Sequence, residues 1–318
     1  KKFHTIYSTH HLYYMNMNNT HQPFFGIPLT KLEDFLQDSI YFRDTRARTR
    51  FPSLRHGEDS NGNERLFVFD RFLMHHDYVI PKSSGRRFVE ITNDKNEIHR
   101  SGNIVPGAMT VSKIILPLEI LIPELEIHNV SIKFTNSSIY DEKTKDVFSF
   151  QFVNHQQIQI NVNTFQSQET VAKTVITGSI NPFREKTTKV KEEDVNETKL
   201  NTVREYLGTL AVEGEAYIQK DSYRDYTYPL SYIATLPSAA IVKQMEGDGG
   251  MINMLKMDFG NVDMIPITDE KGPVVKLERA RQRTSFNKII TEIVNGVVTY
   301  YRGLAIVNPV ARFRNPVK

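Results

Sequence analysis

Within ITNDKNEIHRSGNIVPGAM, residues 91–109, an aspartate, an asparagine and a histidine stand at Asp94, Asn96 and His99, shortly ahead of a Pro-Gly step at Pro106 and Gly107. A carboxylate and an imidazole suffice for general acid–base chemistry on a bound water, addition across a conjugated double bond being one case. One takes a proton from water, and the other helps to hold that water or delivers a proton to carbon. On a regular helix, residues five apart lie about 140 degrees apart around the axis, so Asp94 and His99 can converge only if the segment is a turn or loop. Asn96 and Gly102 favour such a turn. The competing reading is purely local: Asp94 caps the next backbone N–H groups and His99 is a surface side chain.

The elements that would have to position these residues can be read along the chain. A helix opening near Gly107 runs into MTVSKIILPLEILI, which is apolar on nearly every side and therefore expected to be buried; Pro117 should stop or kink it. After it, VSIKFTNSSIY, DVFSFQFV, QIQINVNTF and TVAKTVITGSI alternate apolar and polar residues as strands do. Residues 181–203 are charged, nearly free of large apolar side chains, and read as a linker. Beyond them LPSAAIVKQM, residues 236–245, echoes VPGAMTVSKI, residues 105–114, and further strand-like segments follow. Two copies of one helix-plus-antiparallel-sheet unit account for this layout, with helices beginning near Gly107 and Ser238. The copies would occupy residues 61–195 and 196–318, with their sheets joined into one larger curved sheet. The second copy has no Asp-x-Asn-x-x-His, so any chemistry is asymmetric. Residues 1–60 form a preface with a helix at TKLEDFLQDSIYF, where Thr30 and Glu33 make a capping box and Ile40 belongs to the apolar face. The Gly- and Asn-rich residues 55–65 then read as a loop.

Asp94-Lys-Asn96-Glu-Ile98-His99, followed by Ile104-Val105-Pro106-Gly107-Ala108-Met109 at the start of a buried helix, resembles the signature of the MaoC-like (R)-specific enoyl-thioester hydratases and dehydratases. The resemblance is sharpest over residues 88–115. It implies an α+β double hot-dog fold, in which each unit is an antiparallel sheet wrapped around a buried central helix and only one unit keeps the catalytic residues. It further implies Asp94 and His99 as the catalytic pair and the Gly107 N–H as the oxyanion donor, with Asn96, Pro106, Ala108 and Met109 beside the substrate. A helix N-terminus supplies fixed dipoles for that oxyanion role, and a residue without a side chain lets a thioester approach the backbone. The chain departs from the pattern at Asn93, where the family usually has Gly, at Glu97 for Pro, and at Pro106 for His. The stretch from His99 to Pro106 is also shorter than usual, which should alter the walls of the acyl tunnel.

Other clusters carry less. His75-His76-Asp77 does not suggest a metal site, because adjacent histidines in a strand point to opposite faces and hydration needs no metal. Arg279, Arg281 and Arg283 recur with period two, as do Arg46, Arg48 and Arg50; on one strand face such a row could hold the phosphates of coenzyme A or the acidic surface of an acyl carrier protein, or simply be solvated. Glu119 lies near the central helix, where a hot-dog thioesterase would carry its carboxylate, but falls after Pro117 and outside the expected helix. With 40 basic and 37 acidic residues the net charge is +3, which implies no general nucleic-acid affinity. The chain has no cysteine, so neither a disulfide framework nor a thiolate zinc site is available, and the cytoplasm is the expected compartment. No apolar run reaches the length of a membrane span. Hydration involves no net redox change, so no cofactor is expected. The expected partner is an acyl thioester on coenzyme A or acyl carrier protein, a homodimer being an allowed assembly. A thioesterase and a non-catalytic acyl-binding scaffold are the alternatives.

Overall fold

Antiparallel strands generate most of the architecture of the computed structural model. It describes residues 25–28, 40–42, 54–58, 64–68, 71–94, 96–121, 125–153, 157–180, 191–210, 226–238, 240, 251–259, 265–269, 273–282, 287–295 and 298–308. β1 (Phe25–Pro28), β3 (Leu54–Glu58) and β4 (Glu64–Val68) make a small sheet in the order β1-β4-β3, which crosses the boundary expected near residue 60. The remaining strands form one ten-stranded sheet in the order β11-β12-β13-β10-β6-β9-β8-β7-β5-β2. Their ranges are β2 Ile40–Phe42, β5 Arg71–Val79, β6 Leu125–Phe134, β7 Lys143–Phe152, β8 Gln157–Gln166 and β9 Glu169–Ile180, then β10 Met251–Asp258, β11 Val274–Gln282, β12 Asn287–Asn295 and β13 Val298–Asn308.

The alternation seen in the sequence decides which face is buried. In β8, Ile158, Ile160, Val162, Thr164 and Gln166 point inward while the residues between them are more exposed. In β6 the phase changes after Ile127, where a bulge opposite β9 puts Val130 and Ile132, rather than Asn129, into the core. β6 pairs with β9 on one side and with β10 on the other, so the strands of the two copies are continuous at the β6–β10 seam.

Against the inner face lies α3 (Gly107–Leu121), buried continuously from Ala108 to Glu119. It runs through Pro117, contrary to the expected break. Proline forfeits one i→i−4 hydrogen bond, and burial of Leu116 and Leu118 at 1% and 0% exposure opposes that loss. Truncating either leucine should cost about 2–5 kcal/mol, comparable with the proline penalty. α1 (Lys82–Ile91) precedes this helix, and α2 (Glu97–Arg100) is a single turn between the two.

Two other expectations are corrected. The stretch read as a linker up to Val203 becomes a 3₁₀ turn (Glu192–Asp194) and then α4 (Glu197–Thr209), capped by Asn196. Leu200, Val203, Tyr206 and Leu207 are buried at helical spacing, and Tyr206 meets Phe88 of α1 with ring centroids 5.9 Å apart. α5 (Leu230–Ile233) and a turn lead into helical residues 236–238, close to where the second helix was expected to begin. Ser231–Thr235, Pro237 and Ser238 are nearly inaccessible, and most of the expected helix beyond Ser238 lies outside the described residues. Near the start of the chain Ile40 is a strand residue paired with His76, where β-branched and aromatic residues suit a sheet edge, and the remainder of the expected helix lies outside the described residues.

Candidate active site

The last turn of α1 sets the position of Asp94. Asn93 has φ 54°, its N–H donates to Glu90 O at 3.2 Å, and Asp94 N–H donates to Val89 O at 2.9 Å. This double closure is a Schellman motif, and it requires a left-handed residue after the C-cap. Glycine fits best there and asparagine is the best-tolerated substitute, so the departure from the family pattern at Asn93 preserves the backbone path.

Asp94 is 2% exposed. Its Oδ1 accepts the Asn96 N–H at 3.0 Å, and its Oδ2 accepts the Ser238 hydroxyl at 3.0 Å. Asn96 is the N-cap of α2: its Oδ1 accepts the Ile98 N–H at 3.2 Å, and its carbonyl accepts the His99 and Arg100 N–H groups. The segment is therefore a turn leading into one helical turn, a form that leaves convergence of Asp94 and His99 open. His99 Nδ1 lies 3.1 Å from Ile104 O. A carbonyl can only accept, so Nδ1 carries the proton and the neutral ring presents Nε2 as an acceptor.

Ile104 sits in a short bridge to Ile139, while Val105 N–H donates to Ser138 O at 2.9 Å and Tyr140 N–H to Asn103 O at 3.2 Å. Gln166 of β8 clamps this loop to the sheet, accepting the Ile139 N–H at 2.8 Å and donating to Ile139 O at 3.0 Å. Tyr140 packs so closely on Gly85 of α1 that a Cβ there would lie 2.0 Å from its ring. Burial, with Asp94 adding to it, pushes the Tyr140 phenol up, while Arg86 of α1 opposes the shift.

From Ile104 the chain reaches the α3 N-terminus in three residues. The Pro106 carbonyl accepts Met109 N–H at 3.0 Å and Thr110 N–H at 3.2 Å, and the first N–H groups of any helix lack an acceptor within it. Pro106, Ala108 and Met109 are buried. The Phe134 ring covers Gly107, at 3.1 Å from where a Cβ would stand. Asp94 and His99 thus share one turn through their bonds to Asn96, and Pro106 to Met109 open α3 a few residues on; among the described residues no hydrogen bond or ion pair joins Asp94 directly to His99. Arg279 and Arg281 lie on β11, at the end of the sheet opposite β2, and the structure does not join them to that stretch. Arg283 lies outside the described residues, as do Arg46, Arg48 and Arg50.

Glu119 is inside α3, not beyond it. Its two carboxylate oxygens accept the Leu230 and Ser231 N–H groups at 2.8 and 3.0 Å, capping α5. No local pattern signals this cap, since the partners are more than a hundred positions apart. Ser238 was visible only as the counterpart of Gly107 in the echoed segment, with no hint of its bond to Asp94. His76 faces inward and Asp77 outward, where Lys143 Nζ lies 3.2 Å from Asp77 Oδ2. Burial, with Lys113 adding to it, lowers the His76 imidazole to about 3. Among the described residues no cluster of three or more His, Asp or Glu has the geometry to hold a metal ion. No described helix is long and apolar enough to cross a membrane.

No protein-family model and no curated protein sequence matches the chain. Solved structures do. A MaoC-like dehydratase is similar over 75% of this chain and 97% of its own, with TM-score 0.52 and 8% identity. HtdX of Mycobacterium tuberculosis is similar over 74% of this chain and 99% of its own, with TM-score 0.49 and 7% identity. A protein assigned as a thioesterase from Novosphingobium aromaticivorans is similar over 81% and 99%, with TM-score 0.47 and 10% identity. The fold is α+β: the chain has the double hot-dog architecture of the MaoC-like dehydratases, an antiparallel sheet around buried helices.

Proposed function

We propose that the protein is a hydro-lyase that interconverts trans-2-enoyl and (R)-3-hydroxyacyl thioesters, with residues from about 61 to 195 carrying the site and those from about 196 to 318 forming a degenerate second unit. The observation that carries this reading is the bond from His99 Nδ1 to the Ile104 carbonyl, which leaves Nε2 as a proton acceptor in the turn that also holds the buried Asp94 carboxylate. In the hydration direction Asp94 and His99 share one water. Its oxygen bonds to C3 of the enoyl group, one of its protons passes to the pair, and a proton from the pair goes to C2, so that water is added overall. The electron pair of the double bond is held meanwhile as an enolate on the thioester oxygen, facing the N–H groups at Gly107. No redox change occurs, so the step calls for no redox cofactor. Coenzyme A or acyl carrier protein is the expected carrier, with Arg279, Arg281 and Arg283 as candidates for its phosphate or acidic groups, in a reducing cytoplasm and as monomer or homodimer.

A thioesterase acting through a carboxylate on the central helix is disfavoured, because both oxygens of Glu119 are engaged with the α5 backbone. The acyl-binding scaffold gains from one observation: Lys113, Tyr78, His76 and Asp146 fill the space between α3 and the sheet with polar side chains. Steady-state assays with short, medium and long enoyl thioesters on both carriers separate the readings. Hydration to the (R)-3-hydroxy product is expected, with Asp94→Asn and His99→Ala each lowering turnover about 100- to 10,000-fold and the double variant little worse than the poorer single one. A wild type inactive on every chain length and both carriers would leave the scaffold as the better reading.

A further inference from the structure

The only described partner of Asp94 Oδ2 comes from the other unit. Ser238 is 7% exposed and its hydroxyl donates to that oxygen at 3.0 Å across 144 positions of sequence. In the echoed segments Ser238 occupies the position that Gly107 occupies in the first copy. The second copy has thus lost the glycine of the helix start and carries there a hydroxyl turned onto the first copy's acid.

The placement of Ser238 is itself determined. Glu119 of α3 holds the Leu230 and Ser231 N–H groups, α5 follows, the Thr235 hydroxyl bonds Tyr232 O at 2.7 Å, and Ser238 N–H bonds Thr235 O at 3.0 Å. Ser112 of α3 ties the same segment down from the side, its hydroxyl lying 2.9 Å from Ala108 O and 3.3 Å from Ser231 O. A hydrogen-bonded path therefore leaves the first unit's central helix, passes through the second unit, and returns to Asp94.

The bond matters because an aspartate's terminal torsion is broad and a single donor on Oδ1 leaves the carboxylate free to pivot. With Asn96 N–H on Oδ1 and Ser238 on Oδ2 its plane is fixed. An ionised carboxylate offers about four acceptor positions, so two remain for a water. We propose that Ser238 is a positioning residue of the Asp94–His99 pair, supplied by the second unit, whose hydroxyl fixes the plane in which the Asp94 carboxylate meets the reacting water. The inference rests on the hydratase reading for its catalytic consequence and on the Asp94 contact alone for its structural one.

Two measurements on the full chain separate those parts. In hydration of an enoyl thioester, Ser238→Ala is expected to lower kcat about 100-fold with KM within about twofold, and Ser238→Thr, which keeps the hydroxyl, to recover most of the loss. In urea unfolding, the cycle of Ser238→Ala, Asp94→Ala and the double variant is expected to show a coupling of about tenfold or more in the unfolding constant, the size of a hydrogen bond to a charged group. Additive unfolding effects overturn the proposal whatever the activity. Coupling with an unchanged kcat in Ser238→Ala overturns the positioning role. Should the wild type hydrate no enoyl thioester, the hydratase reading fails by itself, and the unfolding cycle alone decides whether Ser238 holds Asp94.

Discussion

Asp94 and Asp146 are both buried, at 2% and 0% exposure, yet their surroundings treat a carboxylate in opposite ways. Asp94 sits in a turn and receives a donor on each oxygen, one from its own loop and one from the second unit. Asp146 sits mid-strand in β7, in register with His76 of β5 and Thr164 of β8. Its Oδ1 accepts the Thr164 hydroxyl at 2.6 Å, while Oδ2 has no well-formed hydrogen bond, the Tyr78 phenol being close by. Burial therefore dominates and lifts the Asp146 carboxyl to about 7, against the pull of Thr164, Tyr78 and Lys113, with Asp77 pushing the same way as burial. Lys113 meanwhile stands over the Tyr78 ring, 5.1 Å from its centroid, and donates to the Leu210 carbonyl. Depth of burial alone does not set a carboxylate's state; the number and direction of donors around it also do.

Exchanging each aspartate for asparagine gives the largest expected contrast. Asp94→Asn should remove turnover about 100- to 10,000-fold while the unfolding midpoint barely moves, because the asparagine oxygen still accepts the Asn96 N–H and its amide nitrogen can donate to the Ser238 hydroxyl. Asp146→Asn should leave turnover within a few-fold. If Asp146→Asn is the more damaging in the hydration assay, the site has been assigned to the wrong carboxylate.

Next in size is Glu119→Ala. It strands two buried N–H groups at the start of α5 and should cost about 3 kcal/mol in urea unfolding, with Glu119→Gln recovering part of the loss by keeping an acceptor. A loss no greater than that of an exposed glutamate would show that α5 is held by apolar packing alone.

The pH dependence of Asp146 is smaller and has a definite sign. Its folded value of about 7 lies above the ordinary 3.8, so its contribution to stability is full below about pH 4 and drains away as pH rises through about 7. Asp146→Asn should therefore gain on the wild type between pH 4 and pH 8, by on the order of 4 kcal/mol in unfolding free energy. His76 works the other way: its value is lowered from 6.5 to about 3, so its contribution is present above pH 6.5 and falls as pH drops toward 3. It is common to both proteins and cancels from the comparison. A difference constant across that range would mean that Asp146 is not held protonated.

The smallest effect belongs to the surface. Arg87 bridges Glu90 and Glu205 at 3.0 and 2.6 Å, linking α1 to α4, with all three side chains more than half exposed. Arg87→Ala should shift thermal unfolding by no more than about 2 °C. A larger shift would indicate that the α1–α4 contact supports the Schellman turn ahead of Asp94.

Much of this was legible in the chain because it depends on local pattern. The period of two in β8 predicted its inner face, and the apolar run from Gly107 up to Pro117 predicted a buried helix. Asn96 and Gly102 favoured a turn after Asp94, and the structure has one, built through Asn93 and Asn96. What was hidden depended on distant partners or on a pattern cut short. The charged stretch ends at Val203, and the apolar stripe of α4 is completed only beyond it, by Tyr206 and Leu207. Pro117 looked like a terminator because the packing that carries the helix past it comes from other elements. The inward placement of His76 and Asp146 had no signal of its own, since nothing in a strand's alternation tells which polar residue will point inward. The Glu119–Leu230 and Asp94–Ser238 bonds join segments that no local pattern relates.

The β6–β10 seam has a consequence for synthesis on the ribosome. When β6 to β9 have emerged, they can pair among themselves, but the other edge of β6 must wait for β10, roughly a hundred residues beyond Phe134. At the usual pace of translation that is on the order of ten seconds with an open strand edge. During that interval the nascent chain is exposed to pairing with another copy, and a chaperone covering β6 would matter more than one covering the candidate site. Ser238 leaves the ribosome only shortly before β10. The Asp94 carboxylate therefore gains its last donor at about the moment the vulnerable edge is closed.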